Sequence, residues 1–308
     1  MQNIQNSSIE WPTVVLIGVA YGGFFGAAFG LYPAVPVLAW VVMVICATLH
    51  SSLSHEVLHG HPFRTQWVNE ALIFPALGLF IPYLRFKDTH LAHHYDEYLT
   101  DPYDDPESNY FDPAHWAGLP PLVQFILHIN NTLLGRIIVG PMVSLIAFYG
   151  SDLKMAIQGN RRILVSWAMH IPAVGMVGYI LTHWAQVALW YWVASSYAAM
   201  GILKIRTFLE HQAHDKPRGR TVVIEDRGLL ALLFLNNNYH AVHHAHPKVA
   251  WYKLPQMFET GRDTYLSRNF GYYYRNYAQI FARHLLRAKD PVPHPLRPVT
   301  HHQMDKTG

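Results

Sequence analysis

Cysteine and charge are both scarce in this chain of 308 residues. A single cysteine, Cys46, excludes an internal disulfide and any four-cysteine metal site, and its place in an apolar run reads as a small buried hydrophobe. Charged residues make up 14% of the chain against 51% hydrophobic ones, a balance too greasy for an ordinary soluble domain. No Lys or Arg precedes Arg64. A cleavable signal peptide wants a basic start, so the N-terminus is expected to be retained. The net charge is only +3, and the basic residues are scattered rather than gathered in a stripe, which argues against a nucleic-acid partner. The sequence shows no repeat of fixed period.

What is present is a set of apolar runs in two pairs. Residues 11–31 and 35–49 are separated only by a turn containing Tyr32 and Pro33, and residues 163–181 and 185–203 only by Thr182, His183 and Trp184. Runs of this length match a bilayer, so four transmembrane helices in two hairpins are expected, at about 12–31, 36–56, 163–182 and 185–205. Neither turn holds a Lys or Arg; the positive-inside rule therefore points both turns outward and puts the polar remainder in the cytoplasm. Residues 71–84 are too few and are broken by Pro75 and Pro82, while 119–149 carries His128, Asn130, Asn131 and Arg136. Both are assigned to the membrane interface or to the cap, because making one of them a span would put the histidine clusters on opposite sides of the bilayer.

The expected fold is one domain, 1–308. It is an all-α integral membrane protein with interfacial helices and a cytoplasmic histidine-rich cap, 55–162 and 206–289, that holds a di-metal centre. A loose, proline-rich tail is expected over 290–308. The segment 271–287 mixes Tyr272, Tyr273, Tyr274, Tyr277 and Phe281 with Arg275, Arg283 and Arg287, and suits either an interfacial helix or packing against the cap.

Among 21 histidines, three clusters carry the chemistry: His55, His59 and His61 in SHEVLHGH, His90, His93 and His94 in THLAHH, and His240, His243 and His244 in YHAVHH. Residues three and four apart share one helical face, so each cluster can aim two or three imidazoles at one point. Eight such imidazoles exceed the needs of one tetrahedral zinc, whereas a pair of metals uses them all, and imidazole suits iron. A further ligand is expected from RTFLEHQAH, where His211, directly after the last apolar run, is favoured over His214. His50, His61 and His246 read equally as outer-shell or structural residues. Asp88, Asp96, Glu97, Asp101, Asp104 and Asp105 surround the second cluster and are candidate acceptors for the second N–H of a ligating imidazole, or simply solvated loop charge.

The order of these boxes, the two hairpins, and the stretches HLAHHYDEYLTDPYDDPE, TFLEH and NNNYHAVHHAHPKVAWYKLP resemble the membrane fatty acid desaturase superfamily over roughly 49–255. That superfamily also includes lipid and alkane hydroxylases and carotenoid hydroxylases and ketolases. The resemblance implies two iron ions held by His55, His59, His90, His93, His94, His211, His240, His243 and His244. It further implies molecular oxygen as co-substrate and electrons from an external donor. Because the sequence has no His-Pro-Gly-Gly haem motif and one cysteine, the implied donor is a separate ferredoxin-, rubredoxin- or cytochrome-type protein with its reductase.

Desaturation and hydroxylation use the same ligands, and the boxes do not separate them. An acyl lipid is the first expectation for substrate, ahead of a carotenoid or an alkane. A bacterial cytoplasmic membrane, with the boxes on its cytoplasmic side, is the expected location. Two other classes compete. His55-Glu56-Val57-Leu58-His59 also fits the His-Glu-x-x-His signature of zinc proteases, which would leave both His-x-x-His-His boxes unexplained. A metal transporter or haem carrier would want polar ligands inside the spans, not at their ends.

Overall fold

The structure is a computed structural model that describes residues 9–95 and 97–297, and it is mostly helical. Helix α1 (Trp11–Gly26) opens with a proline in its first turn and continues through a π-helical turn, Ala27–Leu31. After a short turn, Pro36 starts α2 (Pro36–Leu58), which folds back along α1. The two approach closely at Gly23, where a Cβ would lie 2.7 Å from the Cys46 sulfur. Cys46 is buried there among Phe24, Ala27, Ala39 and Met43. Gly23→Val is therefore expected to destabilise the pair by about 1–3 kcal/mol through overpacking, read as a lower unfolding temperature in detergent.

Past the first histidine box come α3 (Gln66–Leu72), an irregular stretch over 73–82 and α4 (Tyr83–His93). The irregular stretch is not exposed: Leu77 is fully buried, and its carbonyl accepts from the indole N–H of Trp192 at 2.8 Å. Short helices α5 (Pro113–Ala117), α6 (Pro121–Asn130) and α7 (Leu133–Ile138) lead into α8 (Gly140–Ile157). On α6, Leu122 and Phe125 are 68% and 62% exposed, an uncovered apolar face. Helix α9 (Arg161–Tyr179) is capped by the Asn160 side chain and runs on through a π turn, Ile180–Trp184. The second hairpin turn accordingly falls at 185–188 and not at 182–184, because the Thr182 hydroxyl donates back to the Gly178 carbonyl and the helix continues.

Helix α10 (Leu189–Thr207) packs along α2. Among the described residues, three helices are long and apolar enough to cross a membrane: Trp11–Leu31, Pro36–Leu58 and Arg161–Trp184. Where the fourth span was expected a helix forms, α10, but it is not one of these three: Ser195, Ser196, Lys204 and Arg206 dilute its apolarity. Helix α4 is fixed to α8 and α9 by one buried carboxylate. Asp152 accepts from Arg85 Nε at 2.9 and 3.1 Å and from the Trp167 indole at 2.9 Å.

The remainder forms the cap. It contains a two-stranded parallel pair, β1 (Val223–Ile224) with β2 (Tyr273–Tyr274), and helices α11 (Leu229–Leu233), α12 (His240–Ala245), α13 (Leu254–Arg268) and α14 (Tyr277–His284). The aromatic 271–287 segment packs inward: Tyr277 and Ile280 are buried against Phe208, Leu209 and Phe234. Of the two readings open to that segment, packing against the cap is the one seen. The tail is less loose than expected. Backbone bonds from Lys289 to Asn131 (3.1 Å), between Phe111 and Val292 (3.0 Å) and from His294 to Phe111 (2.8 Å) tie it down, and Arg297 pairs with Asp101 at 3.0 Å. Residues 298–308 lie outside the described part of the chain.

Candidate metal centre

Each box sits where the chain changes direction. His55 occupies the last turn of α2, and His59 caps it one turn on, before Gly60 at φ +103° ends the helix. His90 and His93 lie in the last turn of α4, with His94 as its C-cap. His211 follows α10 by four residues and is held on both sides: Gln212 N–H donates to the Arg220 carbonyl (3.0 Å) and Val222 N–H to the Glu210 carbonyl (3.1 Å). The third box is α12 itself. Leu235 and Asn236, both near φ +52°, turn the chain into it through the left-handed region, which asparagine tolerates better than leucine.

The three asparagines before α12 each fix something different. Asn236 Nδ2 donates to the Trp251 carbonyl at 3.3 Å, Asn237 Nδ2 to Glu210 at 3.2 Å, and Asn238 Nδ2 to the Ile224 carbonyl at 2.7 Å. The start of this short helix is thereby anchored from three directions.

All nine histidines singled out in the sequence come together, in two groups. His55, His59, His90, His94 and His243 form one; His93, His211, His240 and His244 form the other. Within each group, one nitrogen per ring lies within 4.8 Å of every other. Every group draws on more than one box. The Nε2 atoms converge: His90 and His94 are 3.0 Å apart, His94 and His243 3.2 Å, His93 and His211 2.8 Å, and His211 and His240 3.0 Å. The rings of His94 and His244 stack at 4.4 Å and join the two groups.

Several of these nitrogens are left over by the protein's own hydrogen bonding. Nε2 of His55 and Nε2 of His59 are buried without a hydrogen-bond partner, a state that is unfavourable unless something else binds there. The opposite ring nitrogens are meanwhile held by acceptors. His93 Nδ1 faces Asp105 at 2.7 Å, His90 Nδ1 faces Glu107 at 3.1 Å, and His240 Nδ1 faces Asn237 Oδ1 at 3.2 Å. Such contacts keep the proton on Nδ1 and present the Nε2 lone pair, the form in which imidazole ligates a metal. Two groups of converging, nitrogen-only donors with carboxylates behind them fit a pair of imidazole-seeking cations.

Burial together with neighbouring imidazoles holds His240 and His243 well below the usual histidine range, and His59 falls to about 2. Burial also lowers His93, but Glu107 and Asp105 outweigh it and raise it to about 9. Carboxylates stand behind both groups: Glu107 faces His90 of the five, while among the four Asp105 faces His93 and Glu210 lies 3.7 Å from His240 Nδ1. A cavity of about 30 Å³, lined by His93, Glu107, Tyr110, His211 and Lys289, abuts the four-histidine group and has room for about one water.

Of the six carboxylates picked out in the sequence, only Asp105 reaches a box histidine. Asp88 pairs with Arg162 and Asp101 with Arg297; Glu97 and Asp104 are exposed, and Asp96 lies outside the described residues. Glu107, Glu210 and Asn237, which do reach the boxes, were missed. Glu210 directly precedes His211, and Glu107 ends the stretch that carries the second box, so adjacency to a box was the available signal. His50 bonds to the Tyr21 hydroxyl at 3.0 Å, and His61 to Glu10 at 2.8 Å. His214 packs on Phe270 and His246 is exposed, and neither joins the nine. Asp105→Ala, which removes the acceptor from His93, is expected to weaken metal binding about 10–100-fold in a chelator competition.

Three helices long and apolar enough to cross a membrane, together with a nine-histidine cluster that could hold metal, are the features of a histidine-box membrane protein. The family model for fatty acid desaturases matches residues 31–276, and the chain belongs to that family. Among curated proteins, comparison returns no match.

Proposed function

We propose that this protein is an oxygen-dependent di-iron oxidase that desaturates an acyl lipid. The observation that carries the reading is the five-plus-four sorting of the box histidines within a chain of the desaturase family. Two irons bound there supply the capacity to use dioxygen against an unactivated methylene, which no side-chain acid or base can attack. The overall balance is one lipid CH₂–CH₂ pair, one O₂, two electrons and two protons giving a double bond and two waters. The electrons come from a separate ferredoxin-, rubredoxin- or cytochrome-type partner.

The chain's own residues hold and orient. Asp105, Glu107 and Asn237 fix three imidazoles, and α4 is immobilised through Arg85, so the ligand positions do not follow the substrate. In this reading α10 is the fourth span, both hairpin turns face outward, and the boxes lie at the cytoplasmic face of a bacterial membrane. The lipid then reaches the centre along the boundary between bilayer and cap, where α6 exposes its apolar face.

Hydroxylation of a lipid, alkane or carotenoid by the same site is the second reading, since it uses the same oxygen, electrons and protons and differs only in the fate of the carbon centre. The zinc-protease reading is disfavoured by Glu56. Its carboxylate accepts from the Trp251 N–H at 2.9 Å and groups with Glu10 and His61, apart from His55 and His59. The test is metal content of detergent-purified protein together with mass spectrometry of lipids from cells with and without the chain. About two irons per chain and products lighter by two hydrogens are expected; products heavier by one oxygen would make it a hydroxylase, and a single zinc with unchanged lipids would overturn the reading.

A further inference from the structure

Glu56, which the metal centre does not use, belongs to a buried cluster of its own. Glu10, Glu56 and His61 are each no more than 4% exposed. His61 Nδ1 faces Glu10 Oε2 at 2.8 Å, and its Nε2 lies 3.8 Å from Glu56 Oε1 without a hydrogen-bond partner. Glu56 Oε1 also accepts the Trp251 N–H, across 195 positions of sequence.

These contacts join three parts of the chain that lie far apart in sequence and that also share an apolar cluster of Ile17, Leu49, Leu53 and Trp251. Glu10 begins α1 and its N–H donates to the Pro62 carbonyl at 3.2 Å, just past the first box. Trp251 follows the third box; its carbonyl is held by Asn236 on the other side of α12, and its indole donates to Thr13 of α1 at 3.2 Å. Glu56 neighbours His55 in sequence, and His55 must meet His243 of α12 in the same five-membered group.

We infer that Glu56 is a positioning residue: with His61 and Glu10 it forms a clamp that sets α12 against the end of α2, so that the first and third boxes meet. This rests on the centre being a metal site, but the clamp itself can be read without metal. A carboxylate oxygen that accepts a buried backbone N–H is costly to lose, because the N–H is then left without a partner away from water. Its loss frees the Trp251 segment, and with it the spacing of His243 from His55.

The experiment compares Glu56→Leu and Glu56→Gln in the full-length, membrane-extracted protein. Backbone hydrogen exchange is followed in the metal-free protein over the peptide containing Trp251, and iron is measured after reconstitution. Glu56→Leu is expected to speed exchange at that peptide about 10-fold or more while exchange in α9 stays unchanged, and to lower bound iron. Glu56→Gln keeps an acceptor oxygen and is expected to restore both. Unchanged exchange in Glu56→Leu would overturn the clamp, whatever the metal content. Equal damage from Glu56→Gln would overturn it too, as would a third metal ion per chain that His61→Gln removes. A wild-type protein that binds no iron yet shows the exchange difference would instead sink the functional reading and leave the clamp standing.

Discussion

His243→Ala is expected to abolish lipid oxidation and to weaken iron binding by more than about 100-fold, beyond the upper end of what loss of an outer partner costs. His93→Ala should do the same from the other group. The first removes a nitrogen from the five-histidine set and the second from the four-histidine set, and each set draws on boxes far apart in sequence. Neither residue lies in a span, so membrane insertion and elution as a single species should persist. Elemental analysis and product mass spectrometry on the two variants check this; full turnover with unchanged iron in either would remove that histidine from the centre.

The second large effect falls outside the centre. Asp152→Ala strands the Arg85 guanidinium, which is 8% exposed and bound to Asp152 through Nε and Nη2. Breaking a buried pair from one side typically costs about 3–5 kcal/mol, because the remaining charge is left uncompensated. Unfolding in detergent should shift accordingly. The double variant Arg85→Met with Asp152→Leu should recover much of the loss, since it leaves no lone charge and refills the space. A double variant as unstable as the single one would show that the pair matters by its shape and not by its charge. Because Arg85 is less than two turns from His90 on α4, the single variant should also loosen the second box.

Eight of the nine histidines and the apolar runs were legible because both are local signals, and His211 was picked for its place directly after the last run. Three- and four-residue spacing marks a helical face, and about twenty apolar residues mark a bilayer crossing. The features that went unread depend on partners far along the chain. Asp152 looks like any solvated charge until Arg85 and Trp167 close on it. Glu107 was passed over for Asp88, which turns instead to Arg162. The turn at 185–188 was placed three residues early because a π turn lengthens α9 without altering its composition. The tail's proline content suggested looseness, but its hydrogen bonds to Phe111 and Asn131 are contributed by residues more than 150 positions away.

The sorting of the boxes also sets an order of events in synthesis. Neither histidine group can close until residue 243 or 244 has been made, because α12 supplies members of both. Most of the helical frame has by then left the ribosome, and the Lys289 side chain that bonds to the His211 carbonyl comes later still. A metal held by either group would therefore be taken up late, by a chain most of whose helices have already been made.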